Sequence, residues 1–571
     1  MNILSRTPIH LVQGTGLTSP LSGQSVRVRG VVTGKTRHGF FVQDAERPVH
    51  PEYPESPQNP EIGSSAIYVA AQYEQVAGMK LVGALVDVEG VVLDFVRDEN
   101  DHPCTQIQLE WVSIVEGVNS ALNLPVLWLT AENLPDDVAS LAAFLNAHEF
   151  MLAGVRSGAI FSAPSNPFGD YVVLPKGMRA PRSKYGSAIV DPKNPEAWYP
   201  GFRIARNDLA PKVNVGDVLD SDVSGPLNYR VGAYQISANM SMQVDRRPRP
   251  VNAKASKVAA NFTSVLTLNA FNLDPHIEDP ALVEDADKDV DDDVGDGRFN
   301  ALAKVIVDDA NAPALVALQE IQDNDGAEIT EVADASTTFN VLIAAVQTLG
   351  GPAYEWADLP PISGADGGQP GGNIRNGYFY DPARVRLVAG SMVRLGDQTE
   401  AYDGSRKALK AEFEVIATGA KLALINVHLA SKRHQYSIFA PSQPGFDPRE
   451  PQRIAQAQII RTELLQLIAR GVDYYVTGDF NDFEFSDSVL AMLGDESVNL
   501  VNEIPADERF DYNHRGKLHT LMQGVISKRQ YARGNNQFEI MHGSDLLGVQ
   551  PGSIGERATD HGYVVAHLIV E

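Results

Sequence analysis

Asp479 and Asn481 lie two positions apart in Tyr-Tyr-Val-Thr-Gly-Asp-Phe-Asn-Asp-Phe, residues Tyr474–Phe483. On extended backbone, side chains at that spacing point the same way. The carboxylate can polarise a water or hold a metal, and the carboxamide can donate to a phosphate oxygen. Alone, Gly-Asp-x-Asn is more often an ordinary turn. Four other stretches repeat the pattern of an apolar run followed by phosphate- or metal-competent side chains. They are Leu268-Asn269-Ala270-Phe271-Asn272, Leu318-Gln319-Glu320, the run Asn426-Val427-His428-Leu429-Ala430-Ser431-Lys432, and Thr559-Asp560-His561.

The apolar runs read as strands that deliver these groups to one rim, where α/β sheets place their chemistry. Val472–Thr477 is β-branched and aromatic, bounded by Gly471 and Gly478, and follows the amphipathic segment Arg453–Arg470. From Val258 onward, strands at Thr263–Leu268, Ala314–Leu318, Gly377–Tyr380, Leu422–Val427 and Val564–Val570 alternate with helical patterns at Phe299–Asp309 and Phe339–Leu349. This predicts two sheets covered by helices.

Upstream the pattern is all-β. Ser25–Thr33, Gly39–Gln43, Ala66–Ala70, Leu81–Leu93 and Gln106–Glu116 make about five strands, which suits a small Greek-key barrel of the oligonucleotide-binding type. Arg27, Arg29, Lys35, Arg37, Phe40 and Phe41 mix cations with aromatics, as single-strand-binding faces do, although the alternation puts at least one Phe inside. Residues 118–245 read as a second β-rich module and 246–257 as a basic, Pro-containing linker. The predicted domains are therefore 9–117, 118–245 and 258–571.

At 571 residues the chain is too long for one core. No run approaches 18 apolar residues, so no membrane span is expected. A single cysteine, Cys104, excludes an internal disulfide or a zinc cluster built of cysteines. The net charge of -26 argues against nucleic-acid binding through a generally basic surface, but not against a local groove or a metal that offsets nearby acid. The acidic run Glu284–Asp296 lacks glycine at the sixth position of an EF-hand loop and reads as a solvated loop rather than a calcium site.

Together the five clusters resemble the endonuclease/exonuclease/phosphatase superfamily over residues 262–571, and within it the multidomain bacterial extracellular-type nucleases with an upstream oligonucleotide-binding-fold module. The resemblance implies a four-layer α/β sandwich and phosphodiester hydrolysis on a divalent ion, Mg²⁺ or Mn²⁺, with Ca²⁺ as a supporting ion. It implies that Glu320, Asn269 and Asp560 hold the metal. His428 would contact the scissile phosphate, Asp479 orient the attacking water, Asn481 bind phosphate, and His561 stabilise the transition state. Asn272, Arg375, Ser431 and Lys432 are candidate substrate contacts, and His434, His514 and His519 are surface or structural by default. The substrate expected is DNA or RNA. Met1–Leu11 has no apolar leader, which points to the cytoplasm on sequence alone, although the resembled family is often secreted.

One departure stands out. The family places an aspartate before a late hydrophobic strand to orient the terminal histidine, and the matching stretch Leu521–Ser527 puts Met522 there. His561 is then expected to lack its partner. Two alternatives follow: the same chemistry on a phospholipid or small phosphate ester, and a catalytically weak nucleic-acid-binding protein.

Overall fold

The computed structural model describes residues 4–44, 63–97, 101–117, 124–238, 240–248, 254–259, 261–433, 435–441, 446–552 and 558–571. Linker residues 249–253 and His434 lie outside them.

Five strands close the N-terminal barrel: β1 (Ser25–Thr36), β2 (Gly39–Gln43), β3 (Ala66–Ala70), β4 (Leu85–Phe95) and β5 (Cys104–Glu116), in the order β1-β2-β3-β5-β4. Strand β3 runs parallel to β5, and the other pairings are antiparallel. Val26, Val28, Val32, Val86, Val88 and Ile107 fill the interior at every second position. The mixed cation–aromatic face expected here does not form. Phe40 and Phe41 are both buried. Arg29 grips the Asp87 carboxylate with two donors at 2.6 and 2.8 Å, Arg27 adds a third at 2.8 Å, and Lys35 donates to the Val76 carbonyl. The alternation holds: Phe40 enters the barrel core, whereas Phe41 faces the other way and is covered by Phe150 and Met151 of the middle region.

The middle region is a nine-stranded sheet between Leu127 and Asp245, with helix α1 (Val138–Ala147) packed on it. It meets the barrel through Leu152, whose N–H donates to Gln43 Oε1 at 2.8 Å, and through Phe150, whose ring lies 5.8 Å from that of Phe41.

The C-terminal region holds two sheets face to face. One orders β6 (Phe262–Leu273), β7 (Leu315–Ile321), β8 (Arg375–Tyr380) and the final strand β13 (Tyr563–Ile569) as β8-β7-β6-β13, with an edge strand on each side. The other contains β9 (Ala408–Val415), β10 (Lys421–His428), β11 (Asp473–Asp479) and β12 (Met522–Ser527) in that order. Leu315, Ala317, Tyr378, Phe413, Leu424, Tyr475 and Ile526 fill the space between them. Helices α2 (Arg298–Lys304) and α3 (Ser336–Thr348) cover the outer face of the first sheet, and α4 (Glu450–Arg470) and α5 (Asp487–Leu493) that of the second. Helix, sheet, sheet and helix form four layers. Strand β10 is buried along almost its whole length because it is central and covered on both sides, hence its unbroken Leu-Ala-Leu-Ile. Helix α4 has Pro451 in its first turn and ends on Gly471 at φ 69°, and it buries Ala457, Ile460, Leu464 and Leu467.

The two sheets are tied by polar bonds beneath the rim. Asn426 Nδ2 donates to the Leu318 carbonyl at 2.8 Å and its Oδ1 accepts from Gln319 Nε2 at 2.6 Å, while the Thr267 and Thr477 hydroxyls meet at 2.6 Å. In a low-dielectric interior such satisfied bonds fix the register of one sheet on the other.

Candidate active site

Each strand carrying a candidate residue breaks at the rim. The register of β6 on β7 shifts between Asn269 and Leu273, and that of β7 on β8 between Leu318 and Ile321. Phe271, Asn272, Glu320 and Asn481 all adopt positive φ, between 50° and 57°. Residues other than glycine rarely adopt this region, and where they do the surrounding structure must hold them there. The breaks turn Glu320 and Asn269 together: Asn269 Nδ2 donates to Glu320 Oε1 at 3.0 Å, and its own Oδ1 accepts the Phe271 N–H. In the second sheet His428 and Asp479 are parallel neighbours at their strand ends. Gly478 permits this, because a Cβ there would lie 2.0 Å from the Val427 carbonyl oxygen.

The two sheets bring these groups to one point. His428 Nε2 lies 3.7 Å from both Glu320 Oε1 and Asp479 Oδ2, and His561 Nε2 lies 3.8 Å from Asp479 Oδ2. Glu320, His428 and Asp479 each offer a ligand atom within 4.8 Å of the others. Asn481 donates its backbone N–H to Asp479 Oδ1 at 2.8 Å and its side-chain amide to the Leu429 carbonyl. The Thr559 hydroxyl accepts the His561 N–H, so threonine does at the terminal motif what serine would.

Burial sets the charges. Desolvation, then the like charge of Asp560, pushes Glu320 up to about 7, and desolvation also raises Asp479 against the pull of His561. Burial, helped by the neighbouring Arg406 and His561, holds His428 well below the usual histidine range and so neutral. His561 goes the other way. Burial alone would lower it, but Asp511, Asp560 and Asp479 outweigh that and raise it to about 10, so it is an imidazolium at neutral pH.

Asp511 corrects the expectation built on Met522. The Met522 side chain is fully buried in the apolar space between the sheets. Asp511, just before the hairpin Tyr512–His519, stands at His561 instead: its Oδ1 is 3.5 Å from His561 Nδ1, and neither atom has a hydrogen-bond partner among the described residues. The backbone N–H groups of Leu521 and Met522 donate to Asp511 Oδ2 at 2.8 and 3.0 Å. The chain position once expected to supply the carboxylate thus holds it through its backbone. The Tyr512 ring stacks on His561 at 4.6 Å.

The middle region is built onto this hairpin. Ala188–Ile189 pairs in parallel with Lys517–Leu518, Asn513 Nδ2 donates to the Ser162 carbonyl at 2.8 Å, and Ser162 Oγ donates to the Gly516 carbonyl at 2.6 Å. Arg515 donates to the Val231 carbonyl at 2.9 Å.

The remaining candidates are placed apart from the cluster or are already engaged. Arg375 is buried and pairs with Asp358 at 3.3 Å. Lys432 donates to Asp482 Oδ1 at 2.7 Å, in a buried network with Arg453 and Asp447 behind the Asp479–Asn481 turn. Ser431 is half-buried on the loop after His428, and the Asn272 carbonyl accepts from Gln322. His519 is buried, with its ring 5.0 Å from that of Phe483, whereas His514 is exposed. Asp274, Glu278 and Asp291 form a second carboxylate group within 4.8 Å, and Asp293 of the same acidic run accepts the Asp274 N–H at 3.1 Å.

Arg406 escaped the sequence reading. It is buried, donates to the Leu429 carbonyl at 3.1 Å, and places its charge against Glu320 and Asp479. Its one sequence signal is its place in Ser405-Arg406-Lys407, immediately before the apolar β9.

Residues 138–247 match a family model described as a domain of unknown function, DUF8508. No curated protein matches the chain. Solved structures that resemble it include the human Nocturnin catalytic domain with bound sulfate, at 16% identity and a TM-score of 0.36, covering 56% of this chain and 97% of that one. Truncated TDP2 from Caenorhabditis elegans is 15% identical, with a TM-score of 0.34 and coverages of 54% and 98%. An endonuclease/exonuclease/phosphatase from Bacteroides vulgatus is 14% identical, with a TM-score of 0.32 and coverages of 54% and 99%. At these scores the chemistry rests on the site itself. Among the described residues, no helix is long and apolar enough to cross a membrane.

Proposed function

We propose that this chain is a divalent-metal-dependent phosphodiesterase of the endonuclease/exonuclease/phosphatase type, hydrolysing nucleic acid, with DNA as the first substrate to test. The observation that carries the reading is the line Asp511–His561–Asp479, with separations of 3.5 and 3.8 Å, ending beside Glu320 and His428. Phosphodiester hydrolysis needs a base for water, a cation at the developing charge and a donor for the leaving oxygen, and this set offers all three.

The donors fit a hard cation. Glu320 and Asn269 are joined oxygen-bearing side chains, and Glu320 is half-buried beside the like charge of Asp560. Glu320, Asn269 and Asp560 would hold Mg²⁺ or Mn²⁺, which when bound offsets negative charge on the phosphate. Asp479 Oδ2 orients a water and accepts its proton. His561 supplies positive charge and a proton for the leaving oxygen. Neutral His428 and the Asn481 turn position the phosphate, and Arg406 sets its positive charge beside Glu320 and Asp479.

The barrel is assigned to the oligonucleotide-binding type, supported by its β1-β2-β3-β5-β4 order. With Phe40 and Phe41 inside, its stacking surface is Trp111, 45% exposed with the Arg27 guanidinium 5.7 Å from its ring. Residues 9–117, 118–245 and 258–571 are then binding barrel, supporting module and catalytic domain.

The test is incubation of the whole chain with plasmid DNA, with RNA, and with a phospholipid or small phosphate ester, each with Mg²⁺, with Mn²⁺ and with chelator. Metal-dependent cleavage of polynucleotide supports the reading. Turnover of only the ester moves the substrate class, and no turnover of any substrate removes the function.

A further inference from the structure

Away from the rim, His102, Cys104 and Glu149 meet where the barrel joins the middle module. Each offers a ligand atom within 4.8 Å of the other two. His102 and Glu149 are both 3% exposed. Cys104 opens β5, is partly buried, and packs against the middle-module core and against the junction cluster of Phe41, Ala66, Phe150 and Met151. Glu149 comes from the turn after α1.

The polar atoms are held but not satisfied. His102 Nε2 meets the Tyr234 hydroxyl at 3.2 Å, and its ring lies between those of Tyr229 and Tyr234 at 4.9 and 5.7 Å. That leaves Nδ1, which, like Glu149 Oε1, has no hydrogen-bond partner among the described residues. Buried polar atoms without partners are uncommon, and two of them beside a thiol call for a ligand. A hydrogen-bonded, ring-packed histidine with one nitrogen left over is also how proteins orient a metal-ligating imidazole.

We propose that His102, Cys104 and Glu149 bind a zinc-class divalent ion that clamps the barrel to the middle module. Sulfur, imidazole nitrogen and one carboxylate oxygen form a borderline-soft set that suits Zn²⁺, whereas Mg²⁺ takes oxygen ligands. Binding forms one bond from each side chain to the ion, and the thiol proton and any carboxyl proton leave to solvent. Cys104 is the chain's one cysteine, so a thiolate signal belongs to this site and not to the rim.

The test is titration of the metal-free full chain with Co²⁺ in excess Mg²⁺, following the thiolate-to-cobalt charge-transfer band. The expected result is a band that saturates at one ion per chain, is displaced by Zn²⁺, is absent in Cys104→Ser, and needs at least about 10-fold more Co²⁺ in Glu149→Gln, the scale of losing support at a metal site. No band in the wild type, or identical titrations in Glu149→Gln and His102→Gln, overturns the proposal. Thiol labelling of the native wild-type chain gives a reading that does not depend on a variant folding. Zn²⁺ should protect Cys104, and an unchanged rate would mean a plain buried thiol beside a protonated carboxyl.

Discussion

His561 Nδ1 lies 3.5 Å from Asp511 Oδ1, and the opposite nitrogen of the ring lies 3.8 Å from Asp479 Oδ2. The imidazole is thus set between a carboxylate that orients it and one that faces the site. Asp511→Asn removes the first charge while keeping the side-chain volume. Turnover should fall at least about 10²-fold, the usual scale for general acid–base groups. Because Asp511 helps raise the His561 pKa, its loss should also move the alkaline fall in rate to lower pH. An unchanged rate with an unchanged alkaline limb would remove Asp511 from the site.

Met522→Asp separates this arrangement from the one the sequence suggested. The side chain enters the apolar space between the sheets, so a carboxylate there should cost at least about 2 kcal/mol and give no gain in rate. Thermal denaturation beside turnover checks it. A stable variant with faster hydrolysis would mean that Asp511 does not hold His561.

Asn269, Glu320, His428 and Asp479 were legible because each closes a short apolar run, as with Leu422–Val427 before His428, whereas Asp560 and His561 come just before the strand Tyr563–Ile569. Asp511 and Arg406 were not, since both sit between elements and are joined to the site only by tertiary contacts. The sequence also offered a false match. Within Leu521–Ser527, Met522–Ser527 is a true strand, β12, and its register puts Met522 opposite Asp479. The carboxylate instead reaches in from the hairpin beside it. The cations of β1 misled for a different reason: one buried aspartate, Asp87, on the neighbouring strand engages both Arg27 and Arg29.

A chain beginning at Ser256 keeps every strand-end residue but loses Ser162, Val231 and the Ala188–Ile189 pairing that support the hairpin after Asp511. It should lose at least about 10-fold in turnover on a short oligonucleotide, because small misplacements of catalytic groups are costly. Full turnover on that substrate would make the middle module dispensable to the site and leave it a role in binding alone.

Asp482 links the site to acid stability. Although burial raises its pKa, Lys432 and Arg453 outweigh that and hold it down at about 2. A folded-state pKa below the unfolded value of about 3.9 gives stability that is present in full above that value and is lost as pH falls toward about 2. Asp482→Asn should therefore cost about 2–4 kcal/mol at pH 7, including the buried Arg453 left with Asp447 as its one carboxylate partner among the described residues, and the gap from wild type should narrow between about pH 4 and 2. Denaturant titrations across that range check it; a gap that stays constant would contradict the ion-pair assignment.

The most direct measurement is single-turnover hydrolysis of DNA by the whole chain and by Asp479→Ala, with Mg²⁺ and with chelator, with circular dichroism to verify folding. Asp479 lies within reach of Glu320, His428 and His561, so every role assigned to the cluster passes through it. Wild type should cleave only with the metal, and the folded variant should be slower by at least about 10²-fold. Metal-independent cleavage by the wild type, or equal rates for the two proteins, would contradict the account.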